Sequence, residues 1–204
     1  MIDAVDTAGD QEERMISRGN TLLGTVLAVG AVVLLSGCGS STDGDAKPVT
    51  ASASAEPSLA ADVPHTYDPC KDVPQGVLDS EKLHGKDPAN GDADGGVKWR
   101  GCAWVRSSSY SVSIRTTNLT IDLIRSRNFP ETTEFTINDR RAISTRQFDG
   151  PFIKEACTVD VEMKGGSLEF NLNNPKSTST GSLDSCDLAR SLAEKVVPSL
   201  PATA

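Results

Sequence analysis

The chain has 204 residues, 28 acidic against 20 basic side chains for a net charge of −8, and is 37% hydrophobic with only 4% aromatics. That length holds one domain and a tail, and the low hydrophobic content implies that part of the chain stays outside any core. The acidic balance gives no reason to expect a nucleic-acid partner, whose phosphates require a basic face.

From the N-terminus, the opening Met1-to-Arg14 stretch is acidic and suits the charged start of a signal peptide poorly, so Met15 competes with Met1 as the initiator. Leu22 to Leu35 then runs fourteen residues without a charge. That is too short for a ~30 Å hydrocarbon core, which needs about twenty residues, but it suits the apolar region of a signal peptide. Arg14 and Arg18 precede it singly, which favours the general export route over the twin-arginine one. Leu35-Ser36-Gly37-Cys38 follows and resembles the bacterial lipobox: a large apolar residue, two small ones, then cysteine. That resemblance implies a lipoprotein signal peptide over 1–37, diacylglycerol on the Cys38 thiol, and cleavage just before it. Two acyl chains meet the requirement for stable anchoring, so the expected location is the extracytoplasmic face of the cell membrane. Removing residues 1–37 takes away five acids and two arginines, leaving 23 acidic and 18 basic side chains.

Residues 38–64 form the expected lipidated N-terminus and linker. Ser, Ala, Thr, Pro, Gly and Asp dominate and there is no aromatic, so the stretch buries too little apolar surface to offset its ordering entropy. Its twenty-six residues after Cys38 have a root-mean-square reach of roughly 28 Å as a flexible chain.

The folded domain is expected over 65–201. Pro74 to Leu83 reads as a short helix starting near Asp72 or Val73 and ending before Gly85. Asp87 to Gly96 is turn-rich and reads as a loop. Gly101 to Val105 and Ser109 to Arg115 read as strands joined at Ser107-Ser108, the second placing Tyr110, Val112 and Ile114 on one face. Thr120 to Arg127 reads as a helix that Pro130 stops. Glu134–Ile137 and Ala142–Thr145 pair about Asn138-Asp139-Arg140, and Cys157–Met163 and Leu168–Leu172 about Gly165-Gly166. After a polar loop at 173–182, Leu183 to Val197 carries Leu188, Leu192 and Val196 at helical spacing. Consecutive hairpins imply an antiparallel β-sheet with short helices and a C-terminal helix packed on it, an α+β domain.

Beyond Cys38 the cysteines are Cys70, Cys102, Cys157 and Cys186. An even number in an exported domain implies two disulfides, and three pairings are possible. Cys70–Cys102 and Cys157–Cys186 are favoured because each joins elements close in the chain. A zinc site is the rival; the spacings lack a C-x2-C pair, and only His65 and His84 stand by to assist.

Asp68-Pro69-Cys70 before a short helix, Gly101-Cys102-Ala103-Trp104, Asn118 ahead of a helix, the later cysteine pair and Leu200-Pro201 form a pattern. With the lipobox, it resembles actinobacterial lipoproteins of the mycobacterial Lpr type that carry a domain of unknown function. The resemblance covers most of 65–201 and implies an envelope location, with no catalytic residues to carry over.

Motifs that carry chemistry are correspondingly few. No Gly-x-Ser-x-Gly occurs, His65 and His84 have no motif around them, and nothing in the spacing selects a carboxylate pair. Asn90 to Gly95 matches the first six positions of a calcium loop, but its twelfth position is Gly101 where a bidentate Glu belongs. Arg125, Arg127, Arg140, Arg141 and Arg146 lie on a helix and a hairpin, a potential anion patch or a set of scattered solvated charges. The sequence thus leads to a membrane-held, non-enzymatic module for a lipid, peptide or envelope-protein ligand, with no cofactor. The alternative is an envelope hydrolase acting on wall or lipid.

Overall fold

The computed structural model describes residues 58–204. Eight strands form one sheet in the order β1-β3-β4-β8-β7-β6-β5, with β2 pairing β3 beside β1. They span His84–Pro88 (β1), Gly91–Ala93 (β2), Val97–Val105 (β3), Ser111–Thr117 (β4), Thr133–Ile137 (β5), Arg140–Thr145 (β6), Ala156–Met163 (β7) and Gly166–Asn173 (β8). Every pairing is antiparallel. Strands β1–β4 and β5–β8 are thus two consecutive runs, zipped together where β4 meets β8. The helices are α1 (Pro69–Asp72), α2 (Gln75–Ser80), α3 (Ile121–Ser126) and α4 (Ser185–Val196). This is the α+β architecture expected, with both favoured disulfides in place: Cys70–Cys102 and Cys157–Cys186.

Alternation makes the main core. Cys157, Val159, Val161 and Met163 on β7 and Leu168, Phe170 and Leu172 on β8 point to one face and are buried there. The α4 stripe of Ala189, Leu192, Ala193 and Val196 closes over them, the two alanines letting the helix approach the sheet. Each fully buried large apolar side chain of this layer contributes roughly 1.5–3 kcal/mol. The opposite face carries a smaller cluster of Val97, Leu119, Ile121, Ile124 and Ile143 beneath α3. Thr120 starts that helix by accepting from the Leu123 amide at 3.3 Å.

The helix expected at 74–83 is α2, shortened to Gln75–Ser80; a further one-turn helix, α1, precedes it, capped by Asp68 through the Cys70 amide at 3.0 Å, with Val73 held extended (ψ 121) before Pro74. Two expectations are corrected. The expected loop at 87–96 contains β2 and the end of β1. The side chains of β1 are exposed throughout, so it has no buried face to write a period-two pattern; its backbone pairing to β3 makes the strand. Residues 59–64, expected in the linker, lie on the domain: Val63 is buried, Leu59 packs on the α3 cluster, and the Ala60 carbonyl accepts from Asn118 Nδ2 at 2.8 Å.

Candidate functional site

Cys38 lies outside the described residues. His65 is exposed beside Asp62 at 3.4 Å. His84 is exposed too, its ring nitrogens within hydrogen-bond distance of the Lys82 carbonyl and Ser107 Oγ. The calcium-loop residues are consumed by a hairpin: Asn90 Oδ1 accepts from the Gly101 amide at 3.1 Å, and Asp92 Oδ1 accepts from Arg100 at 2.8 Å. Among the described residues no group of three or more His, Cys, Asp or Glu could hold a metal ion.

Four of the five arginines are engaged within the domain, which leaves only Arg127, exposed at the end of α3, so the five do not form an anion patch. Arg125 is paired with Glu134 and Asp122, and Arg141 with Asp122 and Glu162. The Arg141 hydrogen bond leads in holding the Asp122 carboxyl below the usual range. Arg140 donates to the carbonyls of Pro201 and Ala204 at 2.7 and 2.6 Å. Arg146 is almost wholly buried, at 3% side-chain exposure. Its guanidinium grips both Asp184 oxygens at 2.8 and 2.7 Å, the Ala156 carbonyl at 2.8 Å, and Ser185 Oγ. Burial works to raise Asp184, but the Cys186 amide and Arg146 outweigh it and hold the carboxyl below its ordinary value. Arg146 therefore ties the loop after β6 to the start of α4, next to the Cys157–Cys186 bond.

A cleft of about 710 Å³ lies between α1, α2 and β1. Trp104, Leu78 and Leu83 give it an apolar floor, and Lys71, Asp72, Asp79, His84 and Lys86 a polar rim of both signs. Its walls are fixed: the Cys70–Cys102 bond rivets α1 to β3, Lys86 Nζ donates to the Cys70 carbonyl at 3.2 Å, and Gln75 donates to Asp79 at 2.8 Å. An adjacent cavity of about 420 Å³ reaches Tyr67 and Arg100. The Tyr67 phenol, pushed up to about 12 by burial, stays neutral and shares a hydrogen bond with Ser199 at 3.0 Å. An apolar floor under a rim of donors and acceptors is the usual make-up of a small-ligand site.

Two carboxyls converge elsewhere. Asp160 and Glu169 face each other across β7 and β8, and Arg115 faces Glu169 across β4 and β8. Glu169 accepts from Arg115 Nε at 3.0 Å and from Trp99 Nε1 at 2.8 Å, so its charge is fully answered. Burial first, and the Glu169 charge second, push the Asp160 carboxyl well above the usual range. Ser167 Oγ lies 2.9 Å from Asp160 Oδ1 and 2.9 Å from the Leu119 carbonyl, so its one hydrogen is shared between the two acceptors, and its donation to Asp160 offsets only part of the rise. Both acids are buried, and neither lines the cleft between α1, α2 and β1 or the cavity beside it.

A family model described as "Protein of unknown function (DUF3558)" matches residues 33–199. The chain belongs to the DUF3558 family. No curated protein and no solved structure matches it.

Within this DUF3558 chain, neither the cleft nor the acid pair was visible in the sequence. Asp160 and Glu169 occupy the off-core positions of alternating strands, where a charged residue normally meets water. Only Ile121 and Ile124, at helical spacing on α3 well upstream in the chain, signalled that a helix covers that face. The cleft arises from three short elements whose juxtaposition depends on the Cys70–Cys102 bond.

Proposed function

We propose that the chain is an envelope lipoprotein of the actinobacterial, Lpr-like type, held to the outer face of the membrane by diacylglycerol on Cys38. Its domain serves as a non-enzymatic module that takes an amphipathic ligand, a lipid or a peptide, into the cleft between α1, α2 and β1. The observation that carries the reading is this cleft of about 710 Å³, with Trp104 in its floor and a rim carrying both signs of charge. The anchor draws support from the family match, which starts at residue 33 and so takes in Leu35 to Cys38 together with the domain. A hydrolase would need two free carboxyls beside this cleft; of its rim acids, Asp72 already accepts from the Asp68 amide and Asp79 from Gln75, and the pair that converges, Asp160 with Glu169, is buried in the sheet.

Two measurements test the reading separately. Intact-mass analysis of the membrane-extracted protein is expected to find diacylglycerol on Cys38, and Cys38→Ala to release the protein from the membrane; an unmodified Cys38 refutes the anchor. Titration with phosphatidylglycerol micelles and with a muropeptide, reading Trp104 emission, is expected to give a saturable change with one of them. Leu83→Arg, on the cleft floor, should abolish it. Release of a cleaved product from either probe would instead establish the hydrolase.

A further inference from the structure

Four large hydrophobic side chains are exposed among the described residues: Val105, Phe148, Phe152 and Leu183, at 45%, 47%, 61% and 51%. All lie at one end of the sheet. Val105 belongs to the terminal row that runs through Ser111 and Asn173 to Ala156. Phe148 and Phe152 stand either side of Gly150 (φ 134) on the loop that enters Ala156, and Leu183 precedes α4. The loop is held at both ends. Arg146 clamps one end to Asp184, and the Lys154 carbonyl at the other accepts from Ser185 Oγ at 2.9 Å, so the loop carrying both phenylalanines is tied at each end to the segment that carries Leu183. The chain arrives at the other end of the sheet: Ser58 lies in a cavity with Gly165 and Gly166, the β7–β8 turn.

We infer that Phe148, Phe152 and Leu183 form a second membrane contact, seated in the interfacial layer of the same bilayer that holds the lipid on Cys38. The inference rests on the anchor proposed above. Two magnitudes select the bilayer. Three aromatic or aliphatic side chains about half exposed offer on the order of 300 Å², well short of the ~800 Å² per partner of a stable protein interface. A second copy or a free partner is therefore not held by this patch, whereas a weak contact on an already anchored chain gains from effective concentration, most when the linker's reach matches the span. Nineteen residues separate Cys38 from Ser58, and a linker of that composition and length has a root-mean-square reach of about 25 Å. Strands β7 and β8 are eight residues each, so the sheet is about 26 Å long from chain entry to tip. The reach matches the span.

The contact is apolar in kind. Lys154 is paired with Glu131, Arg146 with Asp184, and Lys176 shares its cavity with Glu155, so the patch has no surplus of cations to demand anionic lipid. Phe and Leu are among the apolar side chains by which interfacial segments bury into the headgroup–acyl boundary.

The test uses the full lipidated protein with Phe152→Trp, reconstituted in phosphatidylcholine vesicles bearing brominated acyl chains, with the wild type as baseline for Trp99 and Trp104. The added indole is expected to lose roughly half of its emission to the bromines, as at an interfacial position. The loss should be equal with or without phosphatidylglycerol and unchanged at about 1 M salt. Adding Phe148→Asp and Leu183→Asp, both exposed and compatible with an unaltered thermal melt, should abolish it. An indole that remains in water while intact mass shows diacylglycerol on Cys38 overturns the tip and leaves the anchor standing. Cys38 found unmodified overturns both. Shielding in isolated envelopes but not in vesicles overturns the bilayer and assigns the tip to a protein.

Discussion

Asp160 keeps its proton because burial, and then the charge on Glu169, penalise the anion. In the unfolded chain it titrates near the ordinary ~3.9. From there up to the raised folded value, the folded state holds the extra proton, so this group's stabilisation is complete at low pH and falls as pH rises through that window. Asp160→Asn should therefore flatten this part of the stability profile and give a protein more stable than wild type at pH 7, read from urea midpoints between pH 4 and 8. A loss of stability at pH 7 would show that the anion is needed. Gly101 makes a steric case: a Cβ there would lie 2.2 Å from the Ile114 carbonyl and 2.7 Å from Arg115 Cα, both backbone atoms of β4. Gly101→Ala is expected to cost about 3 kcal/mol by prising β3 from β4, whereas Gly76→Ala on α2, with open space around it, should be neutral or stabilising by about 0.5–1 kcal/mol. Thermal melts of the two variants compare them directly. From the sequence both glycines look alike; only the cross-strand register separates them.

At the scale of elements, the start of α4 concentrates three ties in three residues. Asp184 caps the helix through the Cys186 amide at 2.7 Å, answers Arg146, and stands next to Ser185 and Cys186, which bind the loop after β6 and β7. Asp184→Ala removes a cap worth about 1 kcal/mol and leaves Arg146 buried with only Glu131 as a charged partner. The summed loss should reach about 3 kcal/mol, measurable by urea titration at pH 7. The sign of its pH dependence is opposite to that of Asp160: the Asp184 contribution is full above pH ~4 and disappears as pH falls through the lowered folded value. Replacing Cys157 and Cys186 together by alanine, which opens a loop of 29 residues, should cost about 3–4 kcal/mol and lower the melting temperature accordingly. Elements with a buried face were legible in advance. Strands β3 to β8 and helices α3 and α4 all lie within a few residues of their expected positions, because each buries one stripe or one side. The β1 strand and helix α1 were not: one has no buried side, and the other, four residues long, is too short to write a helical period.

For the whole molecule, the fold class and the two disulfides were legible, since chain-adjacent hairpins and near-neighbour cysteines leave few arrangements. The seam between β4 and β8 was not, because a pairing between strands fifty residues apart leaves no local pattern. That seam runs seven residue pairs, from Ser111 opposite Asn173 to Thr117 opposite Ser167. Each sulfur bridge lies wholly on its own side of it, Cys70–Cys102 before and Cys157–Cys186 after. The connection between the sides passes through Asn128 and Glu131, both with positive φ and both exposed. A protease that nicks the backbone there would yield two pieces with no covalent bond between them, each still internally cross-linked. Whether they stay together would be decided by the ladder and the packing around it alone, which makes this chain a natural candidate for splitting into complementing fragments.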